Sequence, residues 1–305
     1  MARVFLSREL PFAAIDRLRA AHDVDVWEGS LPPTPQQLRD CAAGAHGLLT
    51  MLTDRVDADL LDAAPQLRAI ANFAVGSDNI DLDETARRGI PVGVTPDVLT
   101  GATADLTFAL ILAAARRLPE AERNVRTGGW LTWEPAGFLG LELEGATIAI
   151  VGAGRIGQAV ARRARGFGMR VIEVRSKDPL APALREADVV SLHTPLTAKT
   201  RHLIDEQALR QMKPTAILVN TARGGVVDHD ALGRALHAGT IAAAALDVTD
   251  PEPLPASDPL LSAPNLIVLP HIGSATHIAR ERMAELAVQN LLAGLAGEPL
   301  PHPAR

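Results

Sequence analysis

The chain has 305 residues, of which 47% are hydrophobic, and its 36 acidic and 30 basic side chains give a net charge of −6. This length exceeds what one compact core usually covers and predicts two domains. The negative balance, without any block of like charges, argues against a nucleic-acid partner or an anionic membrane surface. The single cysteine, Cys41, cannot form an intrachain disulfide. Because neither a secretion signal nor an apolar run long enough to span a bilayer is evident, we expect a cytoplasmic protein.

Predicted strands and helices alternate through the first part of the chain. Five runs are typical of strands: RVFLSR, VDVWE, GLLTML, LRAIANFA and IPVGVT. Helical stretches such as FAAIDRLRAA and TPQQLRDCAA lie between them. This rhythm is typical of a parallel sheet with right-handed crossovers. Residues 1–95 are therefore predicted to form a small doubly wound α/β domain.

The next segment is predicted to lead into a second domain. Residues 95–99 are the expected crossing point, and a long apolar helix is predicted to begin near Thr103. Residues 126–145 are rich in Gly, Trp and Pro and show little periodicity. Linkers rarely carry two tryptophans, so we expect Trp130 and Trp133 to lie on a protruding arm that packs on another surface.

A second alternation begins at Ala146. Its predicted strands are TIAIVGAG, RVIEVR, DVVSLH, AILVNTA, AAAALDV and LIVLPH. They are nearly continuous apolar runs, as expected when helices cover both faces of a parallel sheet. Residues 96–274 are thus predicted to form a second doubly wound domain. A long amphipathic helix after His271 is expected to return to the first domain, so that residues 275–305 join residues 1–95.

The string GAGRIG predicts a dinucleotide site, because it directly follows an apolar strand and opens a helix. Gly152 allows the tight turn, and Gly154 lets the backbone approach a pyrophosphate. Gly157 allows close packing of helix and strand, and the helix N-terminus attracts the anion.

The end of the next strand, RVIEVRSK, favours NADP over NAD. It carries Arg175, Ser176 and Lys177, and a 2′-phosphate is bound by cations and a hydroxyl. Glu173 lies two positions earlier on the same strand face and is the competing candidate, which would bind the ribose hydroxyls of NAD. In the alternative interpretation, Arg175 and Lys177 are merely solvated loop charges.

Three ionisable residues follow three of the predicted strands: Arg223 in TARGG, Glu252 in DPEPLP and His271 in LPHIG. Ligands of open α/β sheets bind outside the carboxyl ends of the strands, so these side chains are expected to meet beside the dinucleotide. A histidine is the natural proton donor near neutral pH, and a carboxylate can orient its ring. A guanidinium can bind a carboxylate through two hydrogen bonds. The set predicts reduction of a carbonyl with hydride from a nicotinamide.

Each of the three residues also has a structural interpretation. His271 could be a strand-end histidine bound by backbone groups, and Glu252 could be an ordinary acid of a surface turn. Arg223 could start a helix and pair with Asp228. The joint placement at three strand ends favours the catalytic interpretation.

Two further residues at the same sheet edge leave alternatives open. His193, which ends DVVSLH, is a rival proton donor and could also contact the cofactor. Asp247, near the end of AAAALDV, could hold the nicotinamide carboxamide or tune His271, or it could cap the following turn.

The chain resembles the D-specific 2-hydroxyacid dehydrogenase family, in particular its glyoxylate/hydroxypyruvate reductase branch. The resemblance covers nearly the whole chain. Six strings match that branch in its order: GGWLTWEP, GAGRIGQAVARR, TPLT, NTARGG, LDVTDPEPLP and LPHIGSAT. The resemblance implies a flavodoxin-like substrate domain and a Rossmann-like cofactor domain. It also implies that Arg223 anchors the substrate, that His271 is the acid/base, and that Glu252 is its partner.

The resemblance implies further binding residues. The backbone amides of Ala74, Val75 and Gly76 would hold the substrate carboxylate, and Leu52 would shape that pocket. Trp133 would also bind the substrate. The family is usually homodimeric through the cofactor domains, and the arm around the two tryptophans resembles the part that reaches the neighbouring subunit. Other positions match residues that usually touch the cofactor: Thr103, Arg155, Ile156, His193, Pro195, Thr221, Asp247 and Gly273.

One departure from the family pattern lies after Lys177. The family usually has a further strand and turn here, whereas PLAPALREA is all that this chain contains. We therefore expect the third strand on that sheet edge to be missing. The resulting prediction is an NADPH-preferring reductase of glyoxylate and hydroxypyruvate. The alternatives are an NAD-linked dehydrogenase of bulkier 2-hydroxyacids and a catalytically silent dinucleotide-sensing protein.

Overall fold

The structure is a computed structural model that describes residues 1–304; Arg305, the last residue of the expected 275–305 segment, lies outside the described residues. Its internal contacts divide the chain into two compact units. Unit 1 comprises Met1–Leu99 and the segment from Ala275 onward, and unit 2 comprises Thr100–Ser274. The assignment of unit 1 to the substrate and unit 2 to the cofactor stays a prediction.

Unit 1 begins with a regular alternation of strands and helices. In chain order these are β1 (Arg3–Leu6), α1 (Ala14–Ala21), β2 (Asp23–Val26), α2 (Pro35–Ala42), β3 (Gly47–Thr50), α3 (Ala58–Ala63), β4 (Ala69–Asn72), α4 (Leu82–Arg87) and β5 (Val92–Gly93). The five strands pair in parallel in the order β2-β1-β3-β4-β5. This is the flavodoxin-like order, and it confirms the predicted doubly wound sheet.

Local sequence signals explain where the helices of unit 1 begin. Thr34 forms a capping box with Gln37 at the start of α2. The side chains of Asp57 and Asp81 accept backbone N–H groups at the starts of α3 and α4. Each cap satisfies N–H groups that the first helical turn cannot pair internally.

Unit 2 contains the remaining strands and most of the remaining helices. In chain order these are α5 (Thr100–Ala115), α6 (Leu118–Arg126), β6 (Thr147–Val151), α7 (Arg155–Gly166), β7 (Arg170–Val174), α8 (Leu180–Glu186), β8 (Val189–Leu192), α9 (Glu206–Gln211), β9 (Ile217–Asn220), α10 (His229–His237), β10 (Ala243–Leu246) and β11 (Leu266–Val268). Short 3₁₀ turns lie at Gly224–Val226 and Pro259–Ser262.

The strands of unit 2 form a parallel sheet in the order β11-β10-β9-β8-β6-β7. β7 is an edge strand, and the chain continues through α8 directly to β8 on the other side of β6. The expected third strand beyond β7 is therefore missing within residues 1–304, as predicted from the short segment after Lys177. The order reverses at β6, so the turn after β6 lies at the switch point where open α/β sheets bind ligands.

Helices cover both faces of this sheet. The buried side chains of α8, α9 and α10 pack on one face, and those of α5 and α7 pack on the other. The strands β6, β8, β9 and β10 are consequently buried along their whole length. This double cover explains why these strands are nearly continuous apolar runs in the sequence.

The last helix, α11 (His277–Ala296), belongs to unit 1. Its buried stripe includes Met283, Ala287, Leu291 and Leu295, and it packs against β4 and α1. Gly297, with φ of +76°, ends the helix in the left-handed region that glycine favours.

Two boundaries differ from the sequence predictions. α5 begins at Thr100 rather than near Thr103, and Gly101 lies within its first turn, where glycine does not interrupt the hydrogen bonds that start one turn later. α6 was not predicted; Arg117, at φ of +53°, separates it from α5, and Pro119 lies in its first turn. No helix within residues 1–304 is both long and apolar enough to cross a membrane.

Candidate active site

The turn after β6 has the geometry expected of a dinucleotide-binding loop. Gly152 has φ of +95°, and a Cβ there would lie 2.7 Å from the carbonyl group of His193. A Cβ on Gly157 would lie 2.3 Å from the carbonyl oxygen of Gly152. A Cβ on Gly154 would meet no atom of the described chain within 4 Å. Packing thus requires glycine at the first and third positions, whereas the middle glycine keeps open the approach from outside the protein.

The N-terminus of α7 faces no side-chain cap. Its N-cap residue is Gly154, in extended conformation, which has no side chain that could accept the first N–H groups of the helix. Arg155 and Ile156 occupy the first turn that follows. Such a terminus carries unsatisfied donors and partial positive charge. Together with the glycine turn it fits the pyrophosphate of a dinucleotide, so these residues would hold the cofactor.

The end of β7 contains a cluster of charged side chains. Glu173 accepts hydrogen bonds from Gln158 at 2.8 Å, from Arg165 at 3.2 Å and from Arg175 at 3.4 Å. The hydrogen bond from Gln158, supported by the two arginines, lowers the pKa of Glu173. The backbone N–H of Arg175 donates to Asp178 at 2.8 Å. Both oxygens of the competing acid are therefore engaged within the protein.

The three predicted cofactor-phosphate residues are all exposed. Arg175, Ser176 and Lys177 form the turn that follows β7. Because β7 is the edge of the sheet, this turn borders solvent. Their contact with a 2′-phosphate stays a prediction.

The structure joins His271 to Glu252. Nδ1 of His271 lies 2.7 Å from Oε1 of Glu252, and both side chains are about three-quarters buried, with 22% and 27% of their area exposed. A hydrogen bond at Nδ1 fixes the ring orientation and leaves the proton exchange of the ring to the other nitrogen, Nε2. The pair can therefore donate or accept a proton at a defined atom.

Asp247 holds the backbone on which His271 lies. Its carbonyl oxygen accepts the N–H of His271 at 2.9 Å. Its carboxylate accepts the N–H groups of Ile272 and Gly273, both at 2.8 Å. Burial raises the pKa of Asp247, which is 1% exposed. Asp247 thus positions the backbone of the histidine loop, and its predicted contact with the nicotinamide carboxamide stays a prediction.

Arg223 follows β9, on the strand next to the one that precedes Glu252. Asn220 fixes the turn: its Nδ2 donates to the carbonyl of Arg223 at 2.9 Å, and its Oδ1 accepts the N–H of Ala222 at 3.0 Å. The Arg223 guanidinium donates to the carbonyl of Ala222 at 2.8 Å. Asp228, the alternative partner considered from sequence, caps α10 through the N–H of Ala231.

Glycine lets the loops of Arg223 and Glu252 approach each other. A Cβ on Gly224 would lie 2.0 Å from the backbone carbonyl of Thr249. Arg201 pairs with Asp250 at 3.2 Å and braces the same loop from the side. Since β11, β10 and β9 are neighbours in the sheet, the turns after them place His271, Glu252 and Arg223 at one edge of unit 2.

His193 lies at this edge but is a poor proton donor. Its Nε2 is 2.8 Å from the hydroxyl of Ser191. Desolvation lowers the pKa of His193 to about 4, so the ring is neutral near pH 7. This environment argues against His193 as the acid and leaves the predicted cofactor contact.

The other predicted cofactor residues of unit 2 surround the same edge. Thr103 donates its hydroxyl to the carbonyl of Gly273 at 3.1 Å, and Thr107 links Thr103 to Thr221. Pro195 is exposed, and its carbonyl accepts the hydroxyl of Thr200 at 2.6 Å. These contacts connect α5 to the turns after β9 and β11.

Unit 1 carries the predicted carboxylate loop after β4. Ala74 is buried, Gly76 is partly buried, and Val75 is 42% exposed. Within residues 1–304, the backbone N–H groups of these three residues donate no hydrogen bond to a protein acceptor. Unpaired backbone donors are suited to an anion. Leu52, on the turn after β3, is partly buried.

The arm of residues 126–145 is largely exposed. The exposed fractions are 66% for Trp130, 90% for Leu131 and 78% for Trp133. In the chain as described, Trp133 therefore contributes to no core. A contact with substrate stays a prediction for this residue.

Several site residues were not found by sequence reasoning. Gln158 and Arg165 hold Glu173 from α7, Asn220 fixes the Arg223 turn, and Asp178 closes the turn after β7. A polar residue at the end of an apolar strand, as in AILVN, is the available signal for Asn220. No group of three or more potential metal ligands occurs among the described residues.

Comparisons with known proteins identify the family. Residues 108–273 match the family model for the D-isomer specific 2-hydroxyacid dehydrogenase, NAD binding domain. The chain is 48% identical over 314 residues to a glyoxylate reductase of Korarchaeum cryptofilum, covering 98% of this chain and 95% of that protein.

Solved structures agree. A protein from Thermus thermophilus superposes with a TM-score of 0.94 at 50% identity, covering 99% of this chain and 100% of that one. An NADPH-dependent glyoxylate/hydroxypyruvate reductase from Sinorhizobium meliloti, solved with NADP and malonate, gives a TM-score of 0.87 at 32% identity, covering 99% and 96%.

The fold and site define a nicotinamide-dinucleotide oxidoreductase built from two parallel-sheet α/β units. The glycine turn at the switch point and the paired imidazole and carboxylate lie on one unit, which the family model covers. The chain belongs to the D-isomer specific 2-hydroxyacid dehydrogenase family.

Proposed function

We propose that this protein is an NADPH-preferring reductase of small 2-oxoacids, with glyoxylate and hydroxypyruvate as its preferred substrates. The observation that carries the proposal is the 2.7 Å pair of His271 and Glu252 on the unit that also holds the dinucleotide turn. The glyoxylate reductase of K. cryptofilum and the glyoxylate/hydroxypyruvate reductase of S. meliloti support the substrate class.

A bound reduced nicotinamide supplies the hydride that the reduction needs. His271, protonated and oriented by Glu252, donates a proton from Nε2 to the carbonyl oxygen of the substrate. Arg223 binds the substrate carboxylate and polarises the carbonyl. In unit 1, the backbone amides of residues 74–76 are the donors that we assign to a substrate carboxylate. In unit 2, Asp247 holds the His271 loop in place.

The cofactor preference is inferred from the turn after β7. Glu173 already accepts hydrogen bonds from Gln158, Arg165 and Arg175, and these donors compete with a ribose hydroxyl for the carboxylate. Arg175 and Lys177 offer positive charge to a 2′-phosphate. The NADP complex of the S. meliloti relative supports this preference.

We further infer that the protein is a homodimer and that the arm around Trp130 and Trp133 contacts the second copy. Trp133 would then reach the substrate site of that copy. The exposed tryptophans and Leu131 support this inference, because such an apolar patch is unusual on a monomer surface.

The proposal is tested by following nicotinamide absorbance with glyoxylate, hydroxypyruvate and pyruvate, each with NADPH and with NADH. We expect the highest kcat/KM for glyoxylate or hydroxypyruvate with NADPH. His271→Ala should lose about 10²–10⁴-fold in turnover. Higher kcat/KM for pyruvate with NADH would indicate the NAD-linked alternative. Full turnover by His271→Ala would exclude this residue as the acid.

The alternative of a catalytically silent dinucleotide sensor is disfavoured by the paired His271 and Glu252, since a sensor needs no proton donor. Tight NADPH binding without turnover of any of the three oxoacids would reverse this preference.

A further inference from the structure

A buried polar network lies beneath the two substrate loops of unit 1. The loop after β3 runs over residues 51–54 and includes Leu52, and the loop after β4 runs over residues 73–79 and includes the proposed carboxylate amides. Within the described residues, five side chains form the network: Thr50, Asp54, Asn72 and Asn79 come from these loops and their strands, and Ser7 comes from the turn after β1. Four of them are at most 4% exposed, and Asn79 is partly buried.

Asn72, the last residue of β4, is completely buried and uses both ends of its amide. Its Nδ2 donates to the carbonyl of Gly76 at 2.9 Å and to Oδ1 of Asn79 at 3.0 Å. Its Oδ1 accepts the hydroxyl of Thr50 at 3.0 Å. One side chain therefore holds the tip of the carboxylate loop against the end of β3.

Asn79 connects the carboxylate loop to the other loop. Its Nδ2 donates to the carbonyl of Asp54 at 2.8 Å and to that of Met51 at 3.1 Å. The carboxylate of Asp54 closes the same loop from inside, because it accepts the N–H of Met51 at 2.7 Å and the hydroxyl of Ser7. The amide side chains thus fix the two loops to each other, in addition to the backbone hydrogen bonds from Phe73 to Thr50 and from Val56 to Asn79.

We propose that Asn72 and Asn79 are positioning residues for the 2-oxoacid carboxylate: they fix the backbone of residues 74–76 and align its N–H groups. This inference rests on the proposed function, because it assigns those N–H groups to the substrate. Neither asparagine would touch substrate. Their effect is transmitted through the carbonyl of Gly76, which lies on the amide-bearing loop.

The sharpest variant is Asn72→Asp, which keeps the shape of the side chain and removes both donors. A carboxylate oxygen in place of Nδ2 would face the carbonyl of Gly76 and Oδ1 of Asn79, so both hydrogen bonds become repulsive contacts. Thr50→Val is the milder variant, since it removes one donor to Asn72 and leaves the amide in place.

Asn290→Asp is the matched control. Asn290 is also buried in unit 1, at 1% exposure, and also bridges two segments through both ends of its amide. Its Nδ2 donates to the carbonyl of Val94 and its Oδ1 accepts the N–H of His302, both at 3.0 Å. It contacts neither substrate loop, so a general loss of stability would appear equally in the control.

The first measurement is steady-state kinetics with glyoxylate and NADPH. We expect Asn72→Asp to raise the KM for glyoxylate by about tenfold or more, with the KM for NADPH within about twofold of wild type. Thr50→Val should give a smaller rise, and Asn290→Asp should change neither KM. Equal effects of Asn72→Asp and Asn290→Asp, or a changed kcat with an unchanged KM for glyoxylate, would overturn the proposal.

The second measurement is amide hydrogen exchange, which does not depend on turnover. The paired N–H groups that border the loops are those of Phe73, Val56 and Ile80. They should exchange about tenfold or more faster in Asn72→Asp and remain unchanged in Asn290→Asp. If folded Asn72→Asp shows unchanged exchange at these groups, the positioning role is contradicted, whether or not the wild-type protein reduces a 2-oxoacid. If the wild-type protein reduces no 2-oxoacid but exchange changes as expected, only the proposed function is contradicted.

Discussion

His271 has an uncommon backbone conformation for a residue with a side chain, with φ of +55°. This left-handed conformation costs a non-glycine residue on the order of 1–3 kcal/mol and persists only where neighbours determine it. Here Asp247 supplies that determination with three hydrogen bonds to the backbone of residues 271–273. The strained backbone and the three hydrogen bonds from Asp247 together support a role of this loop in fixing the orientation of the His271 ring.

At the residue scale, the role of Glu252 can be tested by Glu252→Gln. The amide keeps the size of the side chain but loses the charge that stabilises a protonated ring, so we expect kcat for glyoxylate reduction to fall by about 10²-fold or more. Stopped-flow or steady-state absorbance at saturating NADPH measures the change. Glu206→Gln is the control, because Glu206 is an exposed acid of the same unit that pairs with Arg210 on α9. Wild-type kcat in Glu252→Gln would exclude a chemical role for this carboxylate.

A second prediction at this scale concerns the pH dependence of stability. Burial raises the pKa of Asp54 in the folded protein. The folded state therefore favours the protonated acid, and this stabilisation is present at pH below about 4 and is lost as pH rises through the raised pKa. In the variant Asp54→Asn, the amide has no charge to bury, and its oxygen can still accept the N–H of Met51. We expect this variant to gain stability relative to wild type as pH increases from about 4 to about 8.

Urea unfolding of unit 1, followed at several pH values, checks the Asp54 prediction. The difference in midpoint between Asp54→Asn and wild type should move in favour of the variant with rising pH. Asp59→Asn is a suitable control, since Asp59 lies in the first turn of α3 and is exposed. A difference that is constant with pH would indicate that the pKa of Asp54 does not change on folding.

Among elements, the turn after β7 decides the cofactor prediction. The exposed Arg175 guanidinium beside edge strand β7 is proposed to bind the 2′-phosphate, which NADH lacks. We therefore expect Arg175→Ala to lower kcat/KM for NADPH by about tenfold and to leave kcat/KM for NADH within about twofold of wild type. The two values are measured on the same preparation with glyoxylate. Arg210→Ala removes a similarly exposed arginine paired to a glutamate and should change neither. Equal losses with both cofactors would remove the basis for the NADPH preference.

The strands were predictable from the sequence where a long apolar run ended at a polar, Gly or Pro residue. The fully buried strands β6, β8, β9 and β10 follow from their composition alone. β5 is shorter than the run IPVGVT suggests, because only Val92–Gly93 pairs with β4 before the chain turns away. Side-chain contacts between distant segments, such as Gln158 with Glu173, leave no periodic signal. The sequence therefore predicted the positions of the loops but not the side-chain hydrogen bonds that fix them.

At the scale of the whole molecule, the exposed arm predicts self-association. The variant Leu131→Glu combined with Trp133→Glu places two charges where an interface would bury apolar side chains. We expect it to weaken the dimer by about 100-fold or more, since each buried large side chain contributes on the order of 1.5–3 kcal/mol. Analytical ultracentrifugation of wild type and variant measures the dissociation constants.

The control for the arm is Leu31→Glu, because Leu31 is 75% exposed and lies on unit 1, outside the arm. It should leave the dissociation constant of wild type unchanged. A variant that remains dimeric with both charges present would show that another surface carries the dimer, and a monomeric wild type would remove the inference altogether.

Unit 1 is built from two separated parts of the chain, whereas unit 2 is one continuous segment. During synthesis, β1 to β5 leave the ribosome long before α11, whose Met283, Leu291 and Leu295 supply the apolar cover for one face of their sheet. Translation proceeds at about 5–20 residues per second, so that face is uncovered for roughly ten seconds or longer. All segments of unit 2 are therefore translated before those of unit 1 are complete, and the sheet of unit 1 can be fully covered only after α11 has been translated.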